Sequence, residues 1–394
     1  MEENRKLRIL FLPAWYPSEK DPGEGVFVRV HAKAAYLYND VIILYSERAG
    51  KDVKGLYKTV SDKIEDAIRR IRIKYKKFPI IPKASYFIYL WSIFAAFKKL
   101  LKEGWRPDIL HAHVFTAGMP AVLIGKWYHI PVIITEHWSR FPRCQLGPFA
   151  RLMARFVFTQ ADRVCPVSEN LKQCIIEAYS IRARFRVVPN PVDTALFYYA
   201  PEPKRDGKKH ILFVGSLIPI KGLPYLLKAL SPIKSRRNDF VLDIVGDGAN
   251  RAEYEMLAEQ LGLYGLVRFH GAKGSKEVAE FMRQADLFVL PSLFETFSVS
   301  TAEALTTGTP VLATYCGGPE EFVTNEVGFL VASKDAEALR KGLDYMLEHL
   351  EIYLPDKISH YAMERFSPER VGIQFYSIYK TVLTAKGAQY GAAS

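Results

Sequence analysis

Two glutamates eight positions apart, Glu295 and Glu303, bracket a run of small hydroxyl residues in the stretch FETFSVSTAE. A carboxylate accepts hydrogen bonds from paired hydroxyls. If the segment from Ser298 to Thr307 is a helix, with Gly308 at its C-cap, the backbone N–H groups of Phe297, Ser298 and Val299 have no partner inside it. Together with the positive end of the helix dipole they make a seat for an anion. Two carboxylates separated by an anion seat describe a ribose, a pyrophosphate and a sugar, and eight residues at 1.5 Å of rise span about 12 Å, the reach of such a molecule. The plainer reading makes Glu295 a loop carboxylate beside a helix N-terminus and Glu303 a solvated helix residue.

Neighbouring stretches add groups of the right chemistry. HILFVGSLIPIKGLPYLLKAL reads as a strand, a short loop with Gly215, Ser216 and Lys221, and a helix. A fixed cation at Lys221 suits a departing diphosphate. TPVLATYCGGPEEFV ends a strand in Gly317 and Gly318, which permit close backbone approach, and VVPNPVD supplies Asn190 and Asp193. In the first half, PDILHAHVF ends a strand in His111 and His113, which alternation puts on one face, and PVIITEHWSRF ends the next in Glu136 and His137. Histidines at strand ends invite a zinc reading, yet no carboxylate ligand at suitable spacing accompanies them and the chain has no DxD triplet, so neither metal nor cofactor is expected. His111 and His113 read as polar groups satisfied within the first domain.

The elements that must carry these residues alternate as parallel βαβ units do. LRILFLP, DVIILYS, PDILHAH, PVIITEH, RVCPVSE and FRVVPNP read as strands of a first half; HILFVGS, FVLDIVGDG, LVRFHGA, DLFVLPS, TPVLATY and VGFLVAS read as strands of a second. Two doubly wound domains follow, residues 1–197 and 207–366, with a proline-interrupted hinge between them and a last helix over 367–394 packing back on the first. In such sheets ligands bind beyond the carboxyl ends of the strands, where every residue named above falls.

Composition narrows the classes. A chain of 394 residues that is 49% hydrophobic supports two cored domains. Its four cysteines, without a CxxC pair, suggest neither a disulfide framework nor a zinc ribbon and fit a cytoplasmic setting. The N-terminus reaches a strand too early for a signal peptide, and no stretch has the roughly 18 apolar residues of a transmembrane helix. A net charge of +12 points to an anionic partner. Nucleic acid is not expected, because no zinc finger, RNA-recognition signature or basic zipper is present.

Nearly the whole chain resembles the retaining glycosyltransferases of family four, and most specifically in GSLIPIKG, VGDGANRAEYEMLAEQLGL, FHGAKGSKEVAEFMRQADLFVLPSLFETFSVSTAEALTTGTPVLATYCGGPEEFV and NEVGFLV. The resemblance implies an α/β chain of GT-B architecture, two Rossmann-like domains facing a central cleft, with the first binding the acceptor and the second a nucleotide sugar. It implies that Glu303 holds the ribose, Glu295 contacts donor-sugar hydroxyls and Lys221 binds the diphosphate. It also implies backbone contacts from Phe297, Ser298 and Val299. His137 is then a hydrogen-bond partner of the transferred sugar, joining Lys221 and Glu295 in catalysis. Gly25 belongs to the glycine loop that approaches the phosphate, and Gly215 and Ser216 line the donor. The sequence departs from the family at Ser216, where an arginine is common, at Ser298, where a glycine is common, and at Phe27, where many members have a glutamate. Arg29 is a candidate to supply the missing charge; the serine at 298 either crowds the donor sugar or caps the helix.

The expected activity is transfer of a hexose from a nucleotide diphosphate sugar, such as GDP-mannose or a UDP-sugar, to a hydroxyl of a lipid-linked or polysaccharide acceptor. The rivals are a nucleotide-sugar epimerase of the same fold and a non-catalytic sugar-binding scaffold. A dinucleotide oxidoreductase is disfavoured because GEGVFV and GDGANR lack the third glycine of GxGxxG. The basic run Arg69 to Lys83 is expected to attract an anionic membrane surface, making the protein cytoplasmic and peripheral on the inner face of the cell membrane. The following stretch, Tyr86 to Glu103, reads as an amphipathic helix under the first sheet, with an interfacial helix meeting anionic lipid as the alternative.

Overall fold

In the computed structural model, which describes residues 5–17, 23, 25–49, 55–76, 78, 82–201 and 207–391, the apolar runs become two sheets in two compact units. The first unit comprises Met1–Pro191 and Pro368–Ser394, the second Val192–Ser367.

The first unit holds β1 (Arg8–Pro13), β2 (Asp40–Arg48), β3 (Tyr57–Glu65), β4 (Ile68–Tyr75), β5 (Ile109–His113), β6 (Val132–Glu136) and β7 (Arg163–Pro166), ordered β3-β4-β2-β1-β5-β6-β7. All pairings are parallel except β3 with β4. Both faces of the central strands are covered, so β1 is apolar from Ile9 to Pro13 and every residue of β5 is buried, His111 and His113 included. The helices are α1 (Val26–Tyr36), α2 (Pro82–Lys102), α3 (Phe115–Tyr128), α4 (Pro148–Gln160) and α5 (Glu169–Tyr179). Right-handed crossovers put α2, α3 and α4 on one face of the sheet and α1 on the other, because the chain moves across the sheet in opposite directions.

The second unit holds β8 (Lys209–Val214), β9 (Phe240–Val245), β10 (Val267–Gly271), β11 (Leu287–Leu290), β12 (Val311–Thr314) and β13 (Gly328–Val331), all parallel, ordered β10-β9-β8-β11-β12-β13. Its helices are α6 (Leu223–Ile233), α7 (Arg251–Gln260), α8 (Ser275–Gln284), α9 (Val299–Thr306), α10 (Ala336–Glu348) and α11 (Pro355–Phe366). The last helix, α12 (Pro368–Gly391), belongs to the first unit, where Val371, Phe375 and Tyr379 pack with Phe11, Val28 and Ala35 in one core.

Three features differ from the sequence reading. FRVVPNP is not a strand: only Phe185 bridges to Val164, and two prolines remove the N–H groups a ladder needs. Residues 192–197 join the second unit, since the Val192 N–H donates to the Phe366 carbonyl (2.8 Å) and the Leu196 and Phe197 N–H groups donate to that of Asp193 (both 2.9 Å). The basic run begins as a strand, β4, whose Ile71, Ile73 and Tyr75 point into the core while the intervening cations point away. Lys77, residues 79–81 and the Lys83 side chain lie outside what the structure describes, as do residues 202–206 of the hinge and the last three residues.

Candidate functional site

The second sheet reverses its strand order between β8 and β11, so the loops after those strands open side by side. Lys221 ends a 3-10 turn, Pro219–Lys221, closed by Gly222 at φ 69°. A Cβ on Gly222 would lie 1.9 Å from the Pro291 carbonyl oxygen, so glycine alone lets the two loops touch there. The Leu293 N–H donates to the Ile220 carbonyl (2.8 Å) and fixes the loops together. Lys221 Nζ then donates to Glu295 Oε1 at 2.7 Å, and Ser292 Oγ donates to the same oxygen at 2.7 Å. The ammonium and carboxylate named from sequence thus form a half-buried ion pair.

The third loop, after β12, locks against this pair. The Glu295 N–H donates to the Cys316 carbonyl (2.8 Å), and the Gly318 N–H to that of Glu295 (3.1 Å). A Cβ on Gly318 would lie 2.3 Å from Phe297 Cα, which is why glycine stands there. Phe297 is buried between Phe322 and Phe366, with ring centroids at 5.2 and 5.5 Å.

Ser298 is the N-cap of α9 and sits at φ 72°, a left-handed conformation that glycine adopts without strain. Its hydroxyl pairs with Thr301 Oγ1 (2.7 Å) rather than with the helix backbone, so its side chain gives α9 no cap and leaves the N–H groups beginning with Val299 uncovered by it. The helical rise applies only from Val299 to Glu303. Glu295 stands on the preceding loop, whose backbone bonds rather than helix geometry set its separation from Glu303. Glu303 is not a solvated helix residue: burial, reinforced by the Asp193 carboxylate, pushes its carboxyl up to about 8. A Cβ on Gly215 would make ordinary contacts with the Phe213 ring at 3.4 Å and the Lys221 side chain at 3.8 Å, and Ser216 is exposed beside it.

The first unit carries a different arrangement at its own switch point, between β1 and β5. Gly25, at φ 68°, begins α1 where a Cβ would lie 2.5 Å from the Trp15 carbonyl oxygen. His31, His111, His113 and His137 are all buried, and the rings of His111 and His113 stack at 4.6 Å, those of His113 and His137 at 5.4 Å. Burial lowers all four pKa values, to about 4 for His31, and keeps the imidazoles neutral. His111 is satisfied by Tyr379 and Thr135 (both 2.7 Å), and His113 Nδ1 meets His137 Nε2 at 3.1 Å. His113 Nε2 and His137 Nδ1 have no partner among the described residues.

Sequence reasoning missed Glu136 as an organiser. Its buried carboxyl accepts from the N–H groups of Phe115 (3.0 Å), His137 (2.9 Å) and Trp138 (2.8 Å), fixing the loop that presents His137. Burial outweighs those bonds and raises its pKa to about 7. A lone acid ending an otherwise apolar strand was the available signal.

The basic run is largely neutralised. Arg69 pairs with Asp62 and Glu103, Arg70 with Glu65 and Asp66, and Arg72 and Lys74 with Glu47. Arg70, Arg72 and Lys74 also line a cavity of about 500 Å³ together with Tyr16 and Arg29, all within the first unit. Among the described residues no group of three or more His, Cys, Asp or Glu is arranged to hold a metal ion, and no helix is long and apolar enough to cross a membrane.

Residues 198–365 match the family model "Glycosyl transferases group 1", and residues 35–196 match "Glycosyltransferase Family 4". The chain belongs to the family-four glycosyltransferases. This glycosyltransferase is 26% identical over 299 residues to a glycogen synthase of Mycobacterium tuberculosis, covering 74% of this chain and 70% of that one. It is 26% identical over 272 residues to an MMP alpha-(1->4)-mannosyltransferase of Mycolicibacterium hassiacum, covering 68% and 63%. Among solved structures it superposes on a sucrose-phosphate synthase of Thermosynechococcus elongatus with a TM-score of 0.77 at 21% identity, covering 97% and 100%. It also superposes on Anabaena HepE in complex with UDP and glucose with a TM-score of 0.72 at 17% identity, covering 95% and 100%. Those likenesses establish the GT-B fold, an α/β chain of two Rossmann-like domains.

Proposed function

We propose that this glycosyltransferase is a retaining, metal-independent hexosyltransferase that moves a hexose from a nucleotide diphosphate sugar to a hydroxyl of a lipid-linked or polysaccharide acceptor. The observation that carries the reading is the Lys221–Glu295 pair at the strand-order reversal, followed by the open N-terminus of α9 and the half-buried Glu303. In this reading Glu303 binds the ribose hydroxyls and Glu295 the sugar hydroxyls. Lys221 and the N–H groups of Phe297, Ser298 and Val299 take the diphosphate, whose negative charge grows as the bond to the sugar breaks. The acceptor oxygen attacks from the face the diphosphate leaves, and its proton passes to the leaving phosphate oxygen, so no carboxylate nucleophile is required. His137, held neutral, hydrogen-bonds a sugar hydroxyl. A cytoplasmic setting is supported by four cysteines with no pairing pattern.

An acceptor carried on lipid implies an anionic surface as a partner. The segment expected to meet it, Arg69 to Lys83, spends its arginines on ion pairs inside the first unit, which leaves less of its charge for such a surface. HepE was crystallised with UDP and glucose, which makes UDP-glucose the first donor to try, with GDP-mannose second. The test is product analysis with a donor panel, with and without glycan acceptors and with EDTA. The expected result is acceptor-dependent release of a nucleoside diphosphate, an anomer of retained configuration, and insensitivity to EDTA. An altered sugar nucleotide from donor alone would identify an epimerase; donor binding without turnover would identify a scaffold.

A further inference from the structure

The outer face of α2, α3 and α4 is unusual for a protein surface. Phe87 and Trp91 on α2, Trp127 on α3, and Phe149, Leu152 and Phe156 on α4 all point to solvent, with Trp127 75% and Phe149 68% exposed. Their spacings, i and i+4 on α2 and i, i+3 and i+7 on α4, make each set one stripe on its helix. The stripes adjoin: Phe94 of α2 meets Trp127 of α3 edge-on with ring centroids at 6.4 Å, Lys126 of α3 lies 5.5 Å over the Phe156 ring of α4, and Tyr86 of α2 reaches Met153 of α4 at 3.3 Å. An exposed aromatic patch spread over three helices marks an interaction surface rather than scattered exposure.

Charge identifies the partner. The sequences of α2, α3 and α4 contain not one aspartate or glutamate. Lys98, Lys102, Lys126, Arg151 and Arg155 are exposed on the same helices, and Lys126 and Lys98 fold over aromatic rings of the patch. A second copy of the chain would bring cations against cations. A surface of anionic headgroups over an apolar interior satisfies both features, with tryptophan and phenylalanine at the headgroup boundary and lysine and arginine reaching the phosphates. We propose that the α2–α3–α4 face docks the protein on an anionic lipid bilayer. The proposal stands apart from the donor assignment in the second unit, and its test reads vesicle binding rather than turnover.

The test is co-sedimentation with vesicles of phosphatidylcholine alone or mixed with phosphatidylglycerol, combined with tryptophan emission. The wild type is expected to pellet with the acidic vesicles only, to release as salt shortens the Debye length below about 10 Å, and to show a blue shift from Trp91 and Trp127. Phe87→Ser, Trp91→Ser, Trp127→Ser and Phe149→Ser together should weaken binding by at least about tenfold without lowering the melting temperature, because all four side chains are exposed. Arg69→Gln with Arg70→Gln should bind like the wild type. A wild type that ignores acidic vesicles, a fourfold variant that still binds them, or loss only in the Arg69 and Arg70 variant would overturn the proposal. So would a vesicle-independent dimer in sedimentation velocity that the fourfold variant abolishes.

Discussion

Apart from the antiparallel edge strand β3 of the first, the two units share one strand order and carry opposite chemistry at its switch point. In the second, the reversal between β8 and β11 gathers a cation, carboxylates and an uncapped helix end. In the first, the reversal between β1 and β5 gathers four imidazoles that burial keeps neutral. In the proposed reading the charged loops receive a donor that arrives and leaves as an anion, and the neutral stack meets hydroxyls. The fold supplies the position, and the residues set at each strand end decide what is bound there.

The largest expected effect breaks the charged side. Lys221→Ala should lower kcat by about 10²–10³-fold while nucleotide affinity changes far less, because the charge it meets develops in the transition state. Steady-state kinetics check this; a change confined to the acceptor KM would place Lys221 elsewhere.

Glu136 tests the neutral side. Glu136→Ala removes one acceptor serving three backbone donors and should cost about 2–4 kcal/mol in the first unit. All five tryptophans lie in that unit, so urea unfolding followed by tryptophan emission isolates it. Nucleotide affinity, which the proposal assigns to the second unit, should not move.

How much of this was legible follows the same division. The meeting of the loops after β8 and β11 could be read because Lys221, Glu295 and Glu303 lie in short segments after apolar strands, where position and chemistry are both visible. The histidine stack joins His31 from α1 with residues of β5 and the loop after β6, and Glu136 acts through backbone groups that no motif displays. The β3–β4 hairpin was hidden for another reason. Its alternation of isoleucine with arginine and lysine resembles a charged run until Asp62, Glu65 and Glu103 are seen to pair with it. The exposed stripe on α2 was legible as amphipathicity, but which aromatics faced outward was not.

Acidity should separate the units further. The four histidines have folded pKa values below their unfolded value of 6.5, so the unfolded chain binds more protons below that pH and the first unit loses stability as pH falls from 6.5 towards 4. Glu136, raised to about 7, opposes this as a single group. Glu303, raised to about 8, binds more protons folded than unfolded, so its contribution to the second unit is lost as pH rises from 4.5 through 8. Tryptophan-detected midpoints should therefore drop between pH 6.5 and 5, and Glu303→Gln should flatten the alkaline slope seen by circular dichroism. Slopes of the same sign in both units would contradict the contrast.

The smallest effect sharpens a single position. Ser298→Gly relieves a left-handed φ of 72° but loses the bond to Thr301, and the net change in stability should stay within about 1 kcal/mol. Donor affinity should hold within about threefold, since the serine hydroxyl does not occupy the helix N-terminus.

The central claim, that the second unit is built around a nucleotide sugar, is tested most directly by thermal shift with a panel of sugar nucleotides on the wild type and on Glu303→Ala. Binding to the folded state alone stabilises by RT ln(1 + [L]/Kd), so at least one member of the panel should raise the wild-type melting temperature in a concentration-dependent way. Loss of the ribose contacts should shift the variant's curve to about 10–100-fold higher ligand. No shift with any sugar nucleotide, or the same curve in both proteins, would contradict it.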